Sequence, residues 1–368
     1  MILNIKKKLQ IIFKNIGYKV FFHIYGKIIS TISPKNNNQI KVSKVSFINN
    51  STYRIFEISK GRIYTDTVSD TAFIIDNKII EGPSFQYRNA MNKDCRQNIV
   101  FEKGTPKIKK KIKGTVLSLL TGGAGNFNYW HWIFDVLPRL GIAEKKNILK
   151  EIDFFLFPDT KKRFQVESLN LLKIEKLKRL SSLNHRHIES DRIISVDHPY
   201  VLTNNATSDI QNIPIWIIRW LQSKFIKTNL SKEEFPKKIY INRKDSPYES
   251  KNIRKIINEE EVIKFLEKSG FVSMVLSELS FEQQIKLFCE AEFVTGLHGA
   301  GFANIVFCKP ETKILELKPH TSGDVIKNLA KTVNLKYQDI SIKPSINDLQ
   351  NQSGQIIIPL TDLKNKIN

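Results

Sequence analysis

The residues from Phe293 to Pro319, FVTGLHGAGFANIVFCKPETKILELKP, carry the densest chemistry in the chain. An apolar strand pattern runs into a turn with glycines at 296, 299 and 301 and a histidine at 298. Glycine lets a backbone turn tightly and approach another molecule with no Cβ in the way. A helix starting near Gly301 would aim its free N–H groups and positive dipole end into that turn, making an anion site suited to phosphate or diphosphate. His298, Gly299, Ala300 and Gly301 would form the cradle, and Asn304 could reach back toward it. Glu316 sits in ILELKP, at the end of the next strand pattern, where ligands collect in open α/β sheets. A carboxylate there can bind two adjacent ribose hydroxyls. Taken alone, the glycines also fit a tight connection, and Glu316 a solvated strand-end charge.

The elements that must position these residues alternate. GTVLSLL is a strand; NYWHWIFDVLPRL, with Trp132, Phe134, Val136 and Leu140, follows a Gly-rich turn (TGGAG) as an amphipathic helix. DFFLFP is a strand, FQVESLNLLKI a helix and RIISV a strand; IPIWIIRWLQSKFI is a helix before a polar crossing. The alternation then restarts. KIYINRK is a strand and NEEEVIKFLEKSG a helix stopped by Gly270. FVSMVLSEL is a strand, and SFEQQIKLFCEA a helix with Ser280 as N-cap and Gln283 at the capping-box position. This signals βαβ units and a parallel sheet. Ahead of it, residues 40–90 read as a meander of short hairpins, broken by Asn-Asn, Lys-Gly and Asp-Asn turns. The run KIKKKIK at 107–113 reads as a solvated charge run.

At 368 residues the chain can bury a large core, and 41% apolar content marks a globular protein. The formal charge of +22 implies attraction to polyanions: nucleic acid, acidic lipid, acidic glycans or nucleotide diphosphates. Cys95, Cys289 and Cys308 are few, distant and odd in number, so no disulfide framework or CxxC metal site is indicated and a reducing cytoplasm is expected. Cys289 and Cys308 read as small core residues. Near the N-terminus, Leu3, Ile5, Leu9, Ile12, Phe13 and Ile16 interleave with lysines at helical spacing. No stretch reaches the ~20 apolar residues of a spanning helix, and no cleavage site follows a clean apolar core. A basic amphipathic helix on an anionic bilayer and a helix packed on its own domain both fit.

Four stretches, NYWHWIFDVLPRL at 128–140, YINRKDS at 240–246, NIRKIINEEEV at 252–262 and HGAGFANIVF at 298–307, resemble glycosyltransferase family 61. The lead-in at 58–85 resembles that of bacterial, capsule-synthesis members, and the similarity runs in order from about residue 45 to 320. Phe302 stands where many members carry leucine, a change that keeps an apolar residue. The resemblance implies an α/β fold of GT-B type, two Rossmann-like domains facing a cleft with an N-terminal β-rich lead-in. The expected parts are a basic amphipathic segment at 1–40, an acceptor-side domain at 41–210, a nucleotide-sugar domain at 211–345 and a tail at 346–368.

It also implies inverting transfer, a single displacement at the anomeric carbon that needs a base and stabilisation of the departing nucleotide diphosphate. His131 and Asp135, spaced i, i+4, project from one helix face. One is the base and the other its partner, with His131 favoured for its ordinary pKa near ~6.5. Arg243 and Lys244, at a strand end, and Arg254, at the following helix start, are candidates to grip the diphosphate. The chain contains no Asp-x-Asp, so no metal and no cofactor are expected. A UDP-sugar is the expected donor and a glycan or lipid-linked glycan the acceptor, in capsular or other surface polysaccharide synthesis. The expected location is cytoplasmic, peripheral to the inner face of the cell membrane. Competing readings are a nucleic-acid-binding protein, against which stands the lack of any RNP, KH, zinc-finger or helix-turn-helix signature; a nucleotide-sugar epimerase; and a non-catalytic scaffold of a polysaccharide-synthesis complex.

Overall fold

The structure, a computed structural model, describes residues 16–48, 51–67, 69–88, 91–120, 127–203, 205–226, 233–246, 254–344 and 354–367. The Asn-Asn turn at 49–50, the TGGAG turn and most of the basic N-terminal segment lie outside them. The protein is mixed α/β and divides into two compact units, Met1–Lys162 with Ile174–Thr207, and Arg163–Lys173 with Ser208–Asn368. No described helix is long and apolar enough to cross a membrane.

In unit 1 the described strands are β1 (Ser30–Ile32), β2 (Ile40–Ser46), β3 (Thr52–Thr65), β4 (Asp70–Ile75), β5 (Lys78–Ile80), β6 (Phe85–Arg88), β7 (Met91–Lys93), β8 (Lys110–Ser118), β9 (Phe154–Phe157), β10 (Arg179–Ser181) and β11 (His187–Val196). They form one sheet along β1-β5-β4-β3-β11-β8-β9-β10, with β2 on β3 and β6–β7 on β4. The β8, β9, β10 and β11 ladders are parallel, while β3 is antiparallel to β11. The hairpin meander is therefore joined edge to edge with the parallel part rather than leading into it.

Lys60-Gly61 does not make a hairpin turn. β3 runs straight through it with Lys60 at φ +53°, a local reset of the side-chain alternation. Ile58 and Ile63, an odd number of residues apart, consequently face the same core cluster. The lysine run at 107–113 is likewise mostly strand. Gly114, at φ +108°, marks a register shift where β8 passes from its charged half to its buried half. The Gly114 N–H donates to Asp191 and its carbonyl accepts from Ser190. Asp76-Asn77, both at positive φ, make the expected turn between β4 and β5.

Unit 2 holds β12 (Lys238–Asn242), β13 (Arg254–Ile256), β14 (Val272–Val275), β15 (Phe293–Leu297), β16 (Lys313–Pro319), β17 (Lys336–Ile342) and β18 (Gly354–Ile356). Five of them form a wholly parallel sheet in the order β14-β12-β15-β16-β17. Numbered along the chain this is 2-1-3-4-5, a doubly wound order whose switch point lies between β12 and β15. Helix Phe281–Glu290 carries the full capping box between Ser280 and Gln283, and Gly270 ends helix Glu259–Lys268 at φ +83°. Residues read as a tail are part of the unit: β18 pairs with β13, and Leu363 and Ile367 of the last helix enter the core cluster with Tyr240, Leu266 and Leu315. Cys289 and Cys308 are buried free thiols, and burial pushes Cys289 up to about 11, so both serve as neutral core residues.

Candidate active site

His131 and Asp135 lie on one continuous helical run built from an α turn, Tyr129–His131, a π-helical turn, Trp132–Val136, and an α-helix, Leu137–Lys145. Asn128 caps the start by accepting the Trp130 N–H at 2.9 Å. Pro138 explains the widened turn. It has no N–H to donate and its ring crowds the carbonyl four residues back, so an ordinary α turn is disfavoured there. The apolar face packs fully, with Trp132, Ile133, Phe134 and Val136 all at zero exposure.

His131 Nδ1 lies 2.8 Å from Asp135 Oδ2. Asp135 is buried, whereas the His131 side chain is 26% exposed, so the imidazole is the reachable member. Burial would lower the His131 pKa, but the Asp135 charge and hydrogen bond outweigh it and raise it. Burial would raise Asp135, but His131, and after it His198, hold its carboxyl well below the usual carboxylate range.

His198 is a third member for which the sequence offers no signal beyond its place after a strand. Its Nε2 lies 3.6 Å from the same Asp135 oxygen. Its Nδ1 accepts the N–H groups of Tyr200 and Val201, so the neutral ring carries its proton on Nε2, toward Asp135. Burial lowers the His198 pKa, in spite of Asp135. Contacts from two other elements hold this segment in place. Arg139, on the helix, donates to the Val196 carbonyl at 3.0 Å; Arg54 of β3 grips Asp197 at 2.9 Å; and Tyr53 donates to the Pro199 carbonyl at 2.7 Å. Asp135 Oδ1 has no hydrogen-bond partner among the described residues.

In unit 2 Arg243 and Lys244 follow the carboxyl end of β12 and the His298–Gly301 turn follows that of β15, beside the switch point. Arg243 follows β12 and is half-buried; burial lowers its pKa against the pull of Glu259, Tyr240 and Asp245. It donates to Ser246 Oγ at 3.3 Å. Its guanidinium lies over Gly299, where a Cβ would come within 3.5 Å of Nε. Arg254 lies close enough to Arg243 and Glu316 to feel both: burial first, then Arg243, bring it down to about 10, with Glu316 opposing. It belongs to strand β13 and not to a helix start as the sequence suggested, because the partner strand β18 lies far downstream. Lys244 is exposed, its backbone N–H turned onto Asn242.

Two expectations about the glycine turn change. Gly296 and Gly301 serve the protein's own packing, since a Cβ at either would press on Ile241 of β12 at 3.0 and 3.1 Å. The helix after the turn is a buried 3₁₀ segment, Ala300–Phe307, with Asn304 donating back to the Gly301 carbonyl at 3.3 Å. Gly299, Ala300 and Gly301 are half-buried and His298 is buried.

Glu316 is not a solvated strand-end charge. It is central in β16 and fully enclosed. One oxygen meets His298 Nδ1, the other accepts from the Tyr337 hydroxyl, and Lys318 stands 4.0 Å away. Lys318 also pairs with Asp324 and Asp339; these acids, led by Glu316, raise its pKa although burial alone would lower it. With both oxygens committed, Glu316 is not open to a ribose. What the geometry lets it do is orient His298.

A family model described as Glycosyltransferase 61 matches residues 129–315. The chain belongs to glycosyltransferase family 61. The match takes in His131, Asp135, His198, Arg243, Arg254 and His298, and stops short of Glu316. A search among curated proteins finds no match. Family membership implies glycosyl transfer, with a sugar donor and an acceptor.

Proposed function

We propose that this family 61 member is an inverting glycosyltransferase that moves a sugar from a nucleotide-sugar, expected to be a UDP-sugar, to a glycan in capsular or other surface polysaccharide synthesis. The observation that carries the reading is the His131–Asp135 contact of 2.8 Å, in a chain matched to the family over that segment. With Nδ1–H on the carboxylate, the neutral imidazole keeps a lone pair on Nε2, which has no partner among the described residues. That nitrogen takes the acceptor hydroxyl's proton as the oxygen attacks the anomeric carbon, and Asp135 stabilises the imidazolium that forms. Asp135, held well below the usual carboxylate range, is the poorer base, which supports His131 in that role.

In the same proposal Arg243 and Arg254 meet the charge that develops on the nucleotide diphosphate, so no divalent ion is required. The His298–Gly301 turn lies against the same phosphates, and Glu316 acts on the nucleotide through His298. A GT-B arrangement is part of the proposal and is supported by the doubly wound strand order of unit 2. Thermal shift with UDP, GDP and CMP tests it. One nucleotide at ~100 times its Kd should add ~2.7 kcal/mol of stability, and the shift should vanish in Arg243→Ala. No shift with any nucleotide would contradict a nucleotide-sugar donor.

A further inference from the structure

The helix over residues 16–25 has two faces of different character. Inward, Phe21 stacks on Tyr25 at 5.7 Å, and Phe22 covers Gly104, where a Cβ would come within 3.0 Å of its ring. Tyr25 meets the His187 ring edge-on at 4.9 Å, and its hydroxyl accepts the Lys109 N–H at 2.9 Å. Those contacts fix the helix on unit 1. Outward, Ile16, Val20 and Ile24 are 54%, 49% and 59% exposed. Spaced four apart, they make one stripe along the helix, with Lys19, His23 and Lys27 exposed beside it. In the sequence apolar residues continue upstream at helical intervals of four and three, through Ile5, Leu9 and Ile12, interleaved with Lys6, Lys7, Lys8 and Lys14. Regular spacing of this kind is not the scatter of single apolar residues that ordinary surfaces show.

Cavities open beside this helix. One, of about 300 Å³, has Ile24 and Tyr25 in its wall together with Lys60, Arg62 and Lys109. Another, of about 380 Å³, is walled by Tyr18, Phe21, Lys103, Lys107 and Arg186. Asp76 and Glu189 in the first and Asp66 in the second offset part of this charge, leaving cations in excess in both. Glu189 is already engaged by Lys109. Between Lys107 and Lys109, Ile108 stands 77% exposed.

We propose that this face docks unit 1 onto an anionic lipid bilayer, the Ile16–Val20–Ile24 stripe entering the headgroup layer and the two cationic cavities receiving lipid phosphates. An apolar stripe bordered by lysines matches the membrane interface, where aliphatic side chains reach the acyl boundary and cations stay with the phosphates. A second copy of the chain fits the stripe less well, because a partner also carrying +22 would set like charges against each other.

Flotation of the full chain with phosphatidylcholine vesicles, with and without about a third phosphatidylglycerol, tests the proposal. The chain floats with the anionic vesicles only, and 0.5 M salt weakens the binding, roughly the regime in which the Debye length shrinks to a few ångström. The triple variant Ile16→Ser, Val20→Ser, Ile24→Ser loses binding about tenfold or more, and each exposed lysine changed to glutamine lowers it about fivefold. These positions are exposed, so the variants keep the wild-type melting temperature; Ile16→Leu, Val20→Leu, Ile24→Leu keeps binding as well. Wild type that stays with the soluble fraction at low salt overturns the proposal. So does equal flotation of the serine variant. A wild-type dimer in light scattering that the serine variant converts to monomer, with neither floating, overturns it in favour of self-association. None of these outcomes depends on nucleotide binding or on sugar transfer.

Discussion

Asp135→Asn perturbs the chemistry and leaves the volume almost unchanged. It removes a charge 2.8 Å from His131 Nδ1 and 3.6 Å from His198 Nε2. A hydrogen bond to a charged partner is worth about 1.5–3 kcal/mol, and the transition state, in which His131 becomes an imidazolium, loses it. The asparagine can also present N–H to Nδ1, moving the ring proton to Nε2 and removing the lone pair that acts as base. Together these predict a fall in kcat of about 10²–10³, with little change in KM for the donor. The acidic limb of the rate profile tests the cause. With His131 raised by Asp135, the wild-type limb lies above about pH 6.5, and in the variant it moves to lower pH. Stability carries the same signature. His131 titrates above its ordinary value, so its contribution is complete below about pH 6.5 and is lost as pH rises through the folded pKa. Asp135 titrates below its ordinary value, so its contribution is present above about pH 3.9 and is lost as pH falls through the lowered pKa. The wild-type advantage in thermal melts is therefore largest near about pH 5–6 and shrinks as pH rises through the raised His131 pKa. A variant that keeps its rate within about threefold and its limb in place would refute the assignment of His131 as a base sustained by Asp135.

His198→Ala leaves the base intact but removes the second support of the carboxylate, so kcat falls by about 3- to 30-fold, while the acidic limb stays above about pH 6.5; fixed-pH and pH-profile kinetics separate this from loss of fold. Glu316→Gln breaks an enclosed network of His298, Tyr337 and Lys318 and lowers stability by about 3–5 kcal/mol, read by chemical denaturation. If Arg243 and Arg254 meet the diphosphate charge as proposed, EDTA should leave turnover unchanged. Loss of turnover in EDTA with recovery on adding manganese would show that a metal does this work.

The parts of the fold that were legible are those whose signals are local. Strand and helix periodicity marked the alternation of unit 2, Ser280 and Gln283 marked a helix start, and the i, i+4 spacing brought His131 to Asp135. The missed parts depend on contacts distant in sequence. Lys60-Gly61 carries turn chemistry, yet pairing with β11 keeps β3 extended through it. Arg254 looks like a helix approach until β18 arrives to pair with it. Glu316 reads as a strand-end carboxylate open to a ribose because nothing nearby shows that His298, Tyr337 and Lys318 will satisfy it in the interior. His198 has no neighbour in the sequence that hints at Asp135; Arg139 of the helix and Arg54 and Tyr53 of β3 bring it there from two other elements.

The most direct test of the central claim is the anomeric configuration of the sugar first released. An inverting transferase given an α-linked UDP-sugar without acceptor hydrolyses it slowly, and NMR during the first minutes reads the free sugar before it equilibrates. The expected result is release of the β anomer with stoichiometric UDP, slowed about 10²–10³-fold in Asp135→Asn. Release of the α anomer would contradict a single displacement driven by His131, and no release from any nucleotide-sugar would contradict the donor class.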